Sequence, residues 1–212
     1  MIIAIDGPAA AGKGTLGRRL AQHFNLAFLD TGGLYRAVAL KVLDQGGDPA
    51  DPMAAEAAAK TIRPPDLESP RLREDRISDA ASVVAAQPAV RAALLAFQRD
   101  FAHHPATGFA GTLLDGRDIG TIVCPDATVK LFVTASAEAR AIRRFKELQA
   151  AGVGTIYQRV LQDIEQRDAR DRERPTAPLR PAGDAIELDT TALDADAAFA
   201  KAADLIARKL KG

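Results

Sequence analysis

The segment GPAAAGKGT, residues 7–15, constrains the fold more than any other part of this 212-residue chain. It follows IIAID (2–6), an apolar run that predicts a buried strand, and it precedes LGRRLAQHF, which predicts a helix. Gly7 and Gly12 permit backbone turns that are closed to other residues, so that several N–H groups and the helix N-terminus can face phosphate oxygens. The alternative is a glycine-rich turn without a ligand, but the strand–loop–helix order favours a phosphate-binding loop (P-loop).

The lysine of this loop is followed by an unusual residue. Gly14 stands where Ser or Thr usually follows the lysine, and the hydroxyl comes one position later, in Thr15. We therefore expect Lys13 at the β- and γ-phosphates and the Thr15 hydroxyl nearest the metal. The residues predicted to bind ATP are Gly7, Pro8, Ala9, Ala10, Ala11, Gly12, Lys13, Gly14 and Thr15.

Further short apolar runs alternate with helical patterns along the chain. Strands are predicted at 2–6, 26–30, 111–115, 129–135 and 185–191, and residues 64–76 are predicted to be loop. Helices are expected between the strands, with a break near Pro88 and a serine cap at Ser136. This order predicts an α/β fold with right-handed crossovers and a five-stranded parallel sheet, in which ligands bind beyond the carboxyl ends of the strands.

The composition narrows the class of partner. Lys+Arg and Asp+Glu are both 28, and there are no tryptophans and 2 tyrosines, which argues against RNA or DNA binding. The single cysteine excludes an internal disulfide and fits a reducing compartment. No segment approaches the ~18 apolar residues of a membrane span. We expect a cytoplasmic monomer that binds small anionic ligands.

Three acids lie at the ends of predicted strands: Asp6, Asp30 and Asp115. Asp115 ends TLLD, and we expect it to hold Mg²⁺ through water, since Mg²⁺ keeps much of its hydration shell. The alternatives are that Asp115 caps a turn or pairs with Arg117. Asp6 lies just before the P-loop and is expected to be structural.

The stretch RDARDRERP, residues 167–175, concentrates arginines in a chain without net charge. On a helix starting near Thr155, Arg167, Arg170 and Arg174 would line one side, with Asp171 among them. One interpretation is a solvated helix face with local ion pairs to Asp168, Asp171 and Glu173. The other is a clamp that spreads positive charge around a phosphoryl group.

Four motifs together resemble those of the bacterial cytidylate kinases. They are GPAAAGKGT, DTGGLYRAVAL (30–40), DGRDIGTIVCPDA (115–127) and RDARDRERP, and they occur in the matching order over nearly the whole chain. The resemblance implies transfer of the γ-phosphoryl of MgATP to CMP or dCMP. It also implies a three-layer P-loop NTPase fold with a nucleoside-monophosphate-binding insert and a mobile helical lid. The expected division is one kinase domain, with core 1–47, 105–153 and 176–212, insert 48–104 and lid 154–175.

The resemblance also implies the residues that recognise CMP. Arg36 and Arg117 would bind its phosphate, Ser82 and Arg91 would reach the base, and Asp118 would accept from the cytosine amino group. The expected CMP-binding residues are Thr31, Tyr35, Arg36, Ser82, Arg91, Arg117, Asp118, Arg167, Asp171 and Arg174. The expected catalytic residues are Lys13, Arg117, Arg167, Arg170 and Arg174.

Several alternatives stay open at this point. Arg36 and Arg117 could form surface ion pairs, Ser82 could be packing, and Tyr35 could be core. The insert is shorter than usual for the family and is expected to lack about one β-hairpin. Other acceptors, such as shikimate, AMP or UMP, are the nearest rivals, and an ATP-binding switch without transfer is a rival of another class. Paired acceptor-side arginines argue against the switch.

Overall fold

Five strands in one sheet form the centre of the structure, a computed structural model that describes residues 1–211. Their order is β2-β3-β1-β4-β5, and the registered neighbours run parallel. The predicted five-stranded parallel sheet is therefore confirmed. The strands are Ile2–Asp6 (β1), Leu26–Asp30 (β2), Gly111–Gly116 (β3), Val129–Thr134 (β4) and Ile186–Asp189 (β5).

Eight α-helices connect or flank these strands within residues 1–211. Ser136 caps one of them as predicted, because its side chain accepts a hydrogen bond from the Ala139 N–H. No single helix in this range has the length and hydropathy of a membrane span. The helices Asp75–Val84 and Pro88–His103 meet those criteria only as a pair bent by 100°. The helices are Lys13–His23 (α1), Thr31–Asp44 (α2), Pro52–Ala59 (α3), Asp75–Val84 (α4), Pro88–His103 (α5), Ala137–Ala150 (α6), Tyr157–Glu173 (α7) and Ala195–Lys211 (α8).

The chain divides into two compact units. The core unit comprises Met1–Leu29 and the chain from Ala102 onward, and it contains the sheet. Its main hydrophobic core joins the sheet to α1 and α8, through residues such as Leu20 of α1, Leu113 of β3 and Ile206 of α8. Burial of this apolar face fixes α1, and with it the loop that precedes α1.

The strand register brings two loops to the same edge of the sheet. Asp6, the last residue of β1, lies opposite Gly116, the last residue of β3. The P-loop follows Asp6, and Arg117 and Asp118 follow Gly116. β1 lies between β3 and β4, where the strand order reverses, and ligands of open α/β sheets bind at such a point.

The inserted unit, Asp30–Phe101, is helical. Residues 64–76 were predicted to be loop, which is wrong in detail, because Pro64–Leu67 and Pro70–Arg73 each form a short 3-10 helix. After Asp30, which ends β2, no strand occurs among the described residues of this unit, in agreement with the expected lack of a hairpin. The unit starts at Asp30 and so includes α2, whereas the insert was expected from residue 48.

Candidate active site

The P-loop joins β1 to α1 and depends on its glycines. Gly7 has φ +150°, and a Cβ atom there would lie 1.9 Å from the Val133 carbonyl oxygen. Gly12 has φ +84° and caps α1. Both backbone predictions are therefore confirmed. Ala10 also has a positive φ, +57°, which is costly for a residue with a side chain and was not predicted.

Lys13 lies inside this loop and is almost fully buried, at 5% exposure. Its Nζ donates to the Pro8 carbonyl oxygen at 2.8 Å and lies 3.9 Å from Asp115 Oδ1. Burial, helped by the charge of Arg117 and opposed by that of Asp115, lowers the pKa of Lys13 to about 7. The amino group therefore carries a charge that its buried surroundings stabilise poorly and that an anionic phosphate would stabilise.

Asp115 and Thr15, the two residues expected at Mg²⁺, both carry side-chain oxygens. Asp115 is buried at the end of β3, and its Oδ2 would lie 3.7 Å from a Cβ atom on Gly14. Thr15 is exposed in the first turn of α1. No group of three or more His, Cys, Asp or Glu residues that could hold a metal occurs within residues 1–211. This donor set suits an ion that is otherwise coordinated by phosphate oxygens and water.

Arg117 pairs with Asp171 of α7. Arg117 Nε donates to Asp171 Oδ2 at 3.0 Å, and the side chains are 20% and 13% exposed. Burial would raise the pKa of Asp171, but the charges of Arg117, Arg167 and Arg174 outweigh burial and hold that pKa below its usual value. Four of the predicted site residues are thus brought together in the core unit.

Arg174 lies just beyond α7 and not on it. α7 ends at Glu173, and Arg174 has φ −59° and ψ 136°, because the residue before a proline, here Pro175, is disfavoured in the α conformation. The expectation that Arg174 shares a helix face with Arg167 is therefore wrong. Its guanidinium is nevertheless buried, 3.7 Å from Asp118 Oδ1, and its Nε donates to the Ala177 carbonyl oxygen.

The acids of RDARDRERP do not mainly neutralise arginines of the same stretch, as the solvated-face interpretation expected. Asp171 pairs with Arg117, and Asp168 makes a bidentate pair with Arg140 of α6. Within the stretch, Arg172 lies 3.9 Å from Asp168. Arg167 is half-buried, whereas Arg170 is exposed. Tertiary partners prevail here because ion pairs gain strength away from water.

Asp6 supports the segment that follows Asp118. Its two carboxylate oxygens accept hydrogen bonds from the backbone N–H groups of Ile119 and Gly120, both at 2.8 Å. These residues start a π-helical turn, Ile119–Val123. Burial raises the pKa of Asp6 to about 7, although the two N–H donors oppose that rise.

The inserted unit contains an arginine–acid pair at the start of α2. Asp30 caps α2 by accepting from the Gly33 N–H at 3.2 Å, and it also accepts from Arg36 Nη2 at 2.6 Å. The two side chains of the pair are 30% and 23% exposed. Thr31 is buried at the first position of α2. The first turns of α2 thus place Arg36 beside the Asp30 carboxylate in a partly solvated position.

Ser82, Arg91 and Tyr35 also lie in this unit. The Arg91 guanidinium lies 5.5 Å from the Tyr35 ring centroid, and its Nη1 donates to the Ala85 carbonyl oxygen at 3.2 Å. Tyr35 is buried. Ser82 Oγ is buried without a hydrogen-bond partner in residues 1–211. A buried hydroxyl without a partner is uncommon in a native structure and is an observation in favour of a ligand.

Comparison with known proteins decides the family. A family model described as "Cytidylate kinase" matches residues 3–208. The chain belongs to the cytidylate kinase family. It is 60% identical to a cytidylate kinase of Paramagnetospirillum magneticum over 208 residues, which cover 98% of each chain. It is 58% identical to that of Granulibacter bethesdensis and 55% identical to that of Rhodospirillum rubrum, each over 99% of this chain and 98% of the relative.

Solved structures support the fold of this cytidylate kinase family member. A shikimate kinase from Bacteroides thetaiotaomicron superposes with a TM-score of 0.51 at 13% identity, covering 100% of this chain and 99% of that one. An uncharacterised protein from Eubacterium ventriosum gives a TM-score of 0.53 at 15% identity, with 100% and 99% covered. At such identities the likeness concerns the fold alone.

Sequence reasoning missed three contacts of this family member. Arg140 was not singled out, because it lies in an ordinary amphipathic helix far from every motif. The bond from Asp6 to the π-helical turn joins residues that are 113 and 114 positions apart. The bond from Asp30 to Arg36 had a visible signal, since an Asp directly before a helix is a favoured N-cap.

Proposed function

We propose that this protein transfers the γ-phosphoryl group of MgATP to CMP or dCMP and releases ADP with CDP or dCDP. Membership of the cytidylate kinase family supports the reaction. The observation that carries the proposal is the buried charged cluster at the P-loop edge of the sheet, in which Lys13, Asp115, Arg117, Asp118 and Arg174 are all at least four-fifths shielded from water. Such a cluster is costly to bury and is explained by ligands of high negative charge.

The P-loop is assigned to ATP. Its glycines allow the backbone to approach phosphate closely, and the α1 N-terminus adds its positive dipole. Lys13 would exchange the Pro8 carbonyl oxygen for phosphate oxygens and so become stably charged. Thr15 and, through water, Asp115 would hold Mg²⁺. When bound, the ion neutralises charge that develops on the phosphate oxygens.

In the core unit, we assign Arg117, Arg167, Asp171 and Arg174 to CMP and to the transferred group. Arginine suits this role because its planar fork binds phosphate through two hydrogen bonds. Asp171 and Asp118 hold two of these arginines in place before the substrate arrives, which limits reorganisation during transfer. Asp118 would also accept from the exocyclic amine of cytosine, where uracil has a carbonyl. Arg170 is assigned a contact only after closure of the lid, because it is exposed.

In the inserted unit, we assign Arg36 to the CMP phosphate, and Ser82 and Arg91 to the base. The unpartnered Ser82 hydroxyl is the observation in favour of a base contact. Thr31 and Tyr35, both buried at the start of α2, would shape the pocket wall. We further propose that residues 48–104 act as the monophosphate-binding insert and that residues 154–175 act as the lid.

The chemistry proposed is direct in-line transfer without a covalent enzyme intermediate. The acceptor oxygen of CMP is already anionic, so no general base is required. The three histidines, His23, His103 and His104, are exposed and lie outside this cluster. Positioning of the two phosphates and fixed positive charge supply the rate.

A coupled ADP-release assay tests the proposal with MgATP against CMP, dCMP, UMP, AMP, GMP and shikimate. We expect the highest kcat/KM for CMP and dCMP, its collapse in Arg117→Ala, and a loss of at least about tenfold in the preference for CMP over UMP in Asp118→Ala. Asp126→Asn, an exposed acid of the following loop, is the matched control. Preferred turnover of AMP or shikimate would contradict the cytosine assignment. ATP binding without turnover of any acceptor would favour an ATP-dependent switch.

A further inference from the structure

A buried ion pair joins α6 to α7 in the core unit. The guanidinium of Arg140 donates to both oxygens of Asp168, from Nη1 at 3.0 Å and from Nη2 at 2.5 Å. The side chains are 4% and 7% exposed, so both charges are almost completely withdrawn from water. None of the assigned substrate contacts uses Arg140 or Asp168.

The same guanidinium also contacts the P-loop. Arg140 Nη1 donates to the Ala9 carbonyl oxygen at 3.2 Å, and Nε donates to the Ala135 carbonyl oxygen at 2.9 Å. Because a trans peptide is planar, its C=O and the following N–H point in opposite directions. Holding the Ala9 carbonyl against Arg140 therefore turns the Ala10 N–H away from Arg140 and fixes the orientation of one P-loop peptide.

Ala10 independently shows that this peptide needs support. It has φ +57°, a left-handed conformation that residues other than glycine seldom adopt. Its methyl group packs against the small α6–α7 core that is formed by Ala141, Val160 and Ile164. The strained residue is thus held on both sides, through the carbonyl before it and through its own side chain, by the same pair of helices.

Asp168 connects Arg140 to the turn of α7 that carries Arg167 and Asp171. It lies on α7 between Arg167 and Asp171, which we assign to CMP and the transferred group. A change in the Arg140–Asp168 pair would therefore shift both the P-loop peptide and this turn of α7. Stability alone is a weak explanation, because a buried ion pair adds little compared with apolar residues of similar volume.

We propose that Arg140 and Asp168 form a positioning pair that holds the Ala9–Ala10 peptide in its phosphate-binding orientation and sets the arginine-bearing turn of α7 against the P-loop. This rests on the proposed function, since it assigns the P-loop to ATP. Arginine is required because one planar group must serve a carboxylate and a carbonyl together. Lysine has the charge but lacks that geometry.

Three variants test the pair: Arg140→Lys, Asp168→Asn and the double variant Arg140→Met with Asp168→Leu. Calorimetry would give the Kd of MgADP, and steady-state assays would separate KM for ATP from kcat. We expect a Kd for MgADP about 10- to 100-fold higher in all three variants, with a parallel rise in KM for ATP and a lower kcat. Arg144→Lys, at an arginine of the same helix that is 31% exposed and pairs with Glu147, should stay within about twofold of the unchanged protein.

The double variant separates positioning from stability. Its apolar pair should keep the melting temperature near that of the unchanged protein while the weak binding of MgADP persists. A folded double variant with unchanged MgADP affinity would overturn the proposal. If the double variant does not fold, unchanged affinity in folded Arg140→Lys would overturn it equally. Binding of MgADP needs no acceptor, so lack of CMP turnover in the unchanged protein would contradict the proposed function without deciding the role of the pair.

Discussion

The two units hold their charged side chains in different ways. In the core unit, Arg140 and Asp168 are 4% and 7% exposed, and Lys13 is 5% exposed. In the inserted unit, Arg36 and Asp30 are 23% and 30% exposed. Burial of a charge costs desolvation free energy, but it fixes the position of the charged side chain before the reaction. A half-exposed charged side chain can exchange its partner for another at little cost. The difference suits the Arg140–Asp168 pair to preorganisation and the Arg36–Asp30 pair to an exchange of partners.

Replacing Lys13 by methionine is the strongest way to test this difference. We expect kcat to fall by about a thousandfold, because a fixed positive charge at the transferred phosphate is lost. The melting temperature at pH 7 should stay the same or rise, since burial lowers the pKa of Lys13 to about 7 and its charge therefore disfavours the folded state. Activity assays and thermal unfolding measure the two effects.

The control for this variant is Lys60→Met, because Lys60 is 63% exposed and pairs with Glu56 on the surface of the inserted unit. It should change neither the rate nor the melting temperature. A clear drop in the melting temperature of Lys13→Met would mean that the buried charge stabilises the folded core unit, and the contrast between the units would fail.

Replacing Arg36 by glutamine tests the inserted unit. We expect KM for CMP to rise by about 10- to 100-fold, because a charge-assisted contact to phosphate is lost, while KM for ATP changes little. The melting temperature should change little, since the pair with Asp30 is partly solvated. Steady-state kinetics with each substrate varied in turn measures this split.

Arg71→Gln is the matched control in the same unit. Arg71 binds Asp44 through two hydrogen bonds at 2.8 and 2.9 Å on the surface and has no assigned role with CMP. It should leave both KM values unchanged. An equal rise in KM for ATP and for CMP in Arg36→Gln would show that Arg36 supports the fold of its unit and not the acceptor phosphate.

The sequence predicted the elements of the core unit well because its signals are local. The strands Ile2–Asp6 and Leu26–Asp30 match their apolar runs. In the inserted unit, the break between α4 and α5 lies at Pro88, where the proline predicted it. The segment at 64–76 gave no periodic signal, since single 3-10 turns started by Pro64 and Pro70 need no amphipathic pattern.

The partners within the site could not be predicted in the same way. Arg117 and Asp171 lie 54 positions apart, and Arg140 and Asp168 lie 28 positions apart. Spacing along one helix suggested partners three or four residues away, but burial made the tertiary pairs stronger. The end of α7 before Arg174 could have been predicted from Pro175, because a proline disfavours the helical conformation in the residue before it.

The smallest predicted effect concerns two opposed titrations in the core unit. Burial raises the pKa of Asp6 from 3.8 to about 7, so the folded state binds the proton more tightly and stability falls as pH rises toward 7 and just above it. Burial lowers the pKa of Lys13 from 10.5 to about 7, so the unfolded state binds more protons and stability rises with pH above about 6. Between pH 6 and pH 8 each titration changes the free energy of unfolding by about 1 kcal/mol. The two changes have opposite signs and nearly cancel in the unchanged protein.

Single variants should therefore reveal slopes that the unchanged protein hides. Asp6→Asn loses one of two hydrogen bonds to the Ile119–Val123 turn, which lowers stability at every pH, and its free energy of unfolding should rise from pH 6 to pH 8 by about 1 kcal/mol. Lys13→Met should show the reverse slope. Urea unfolding at pH 6, 7 and 8 measures both. Equal pH dependence of the free energy of unfolding in the two variants would mean that burial shifts neither pKa. The destabilising effect of buried charge in the core unit would then have to come from Arg140, Asp168 and their neighbours.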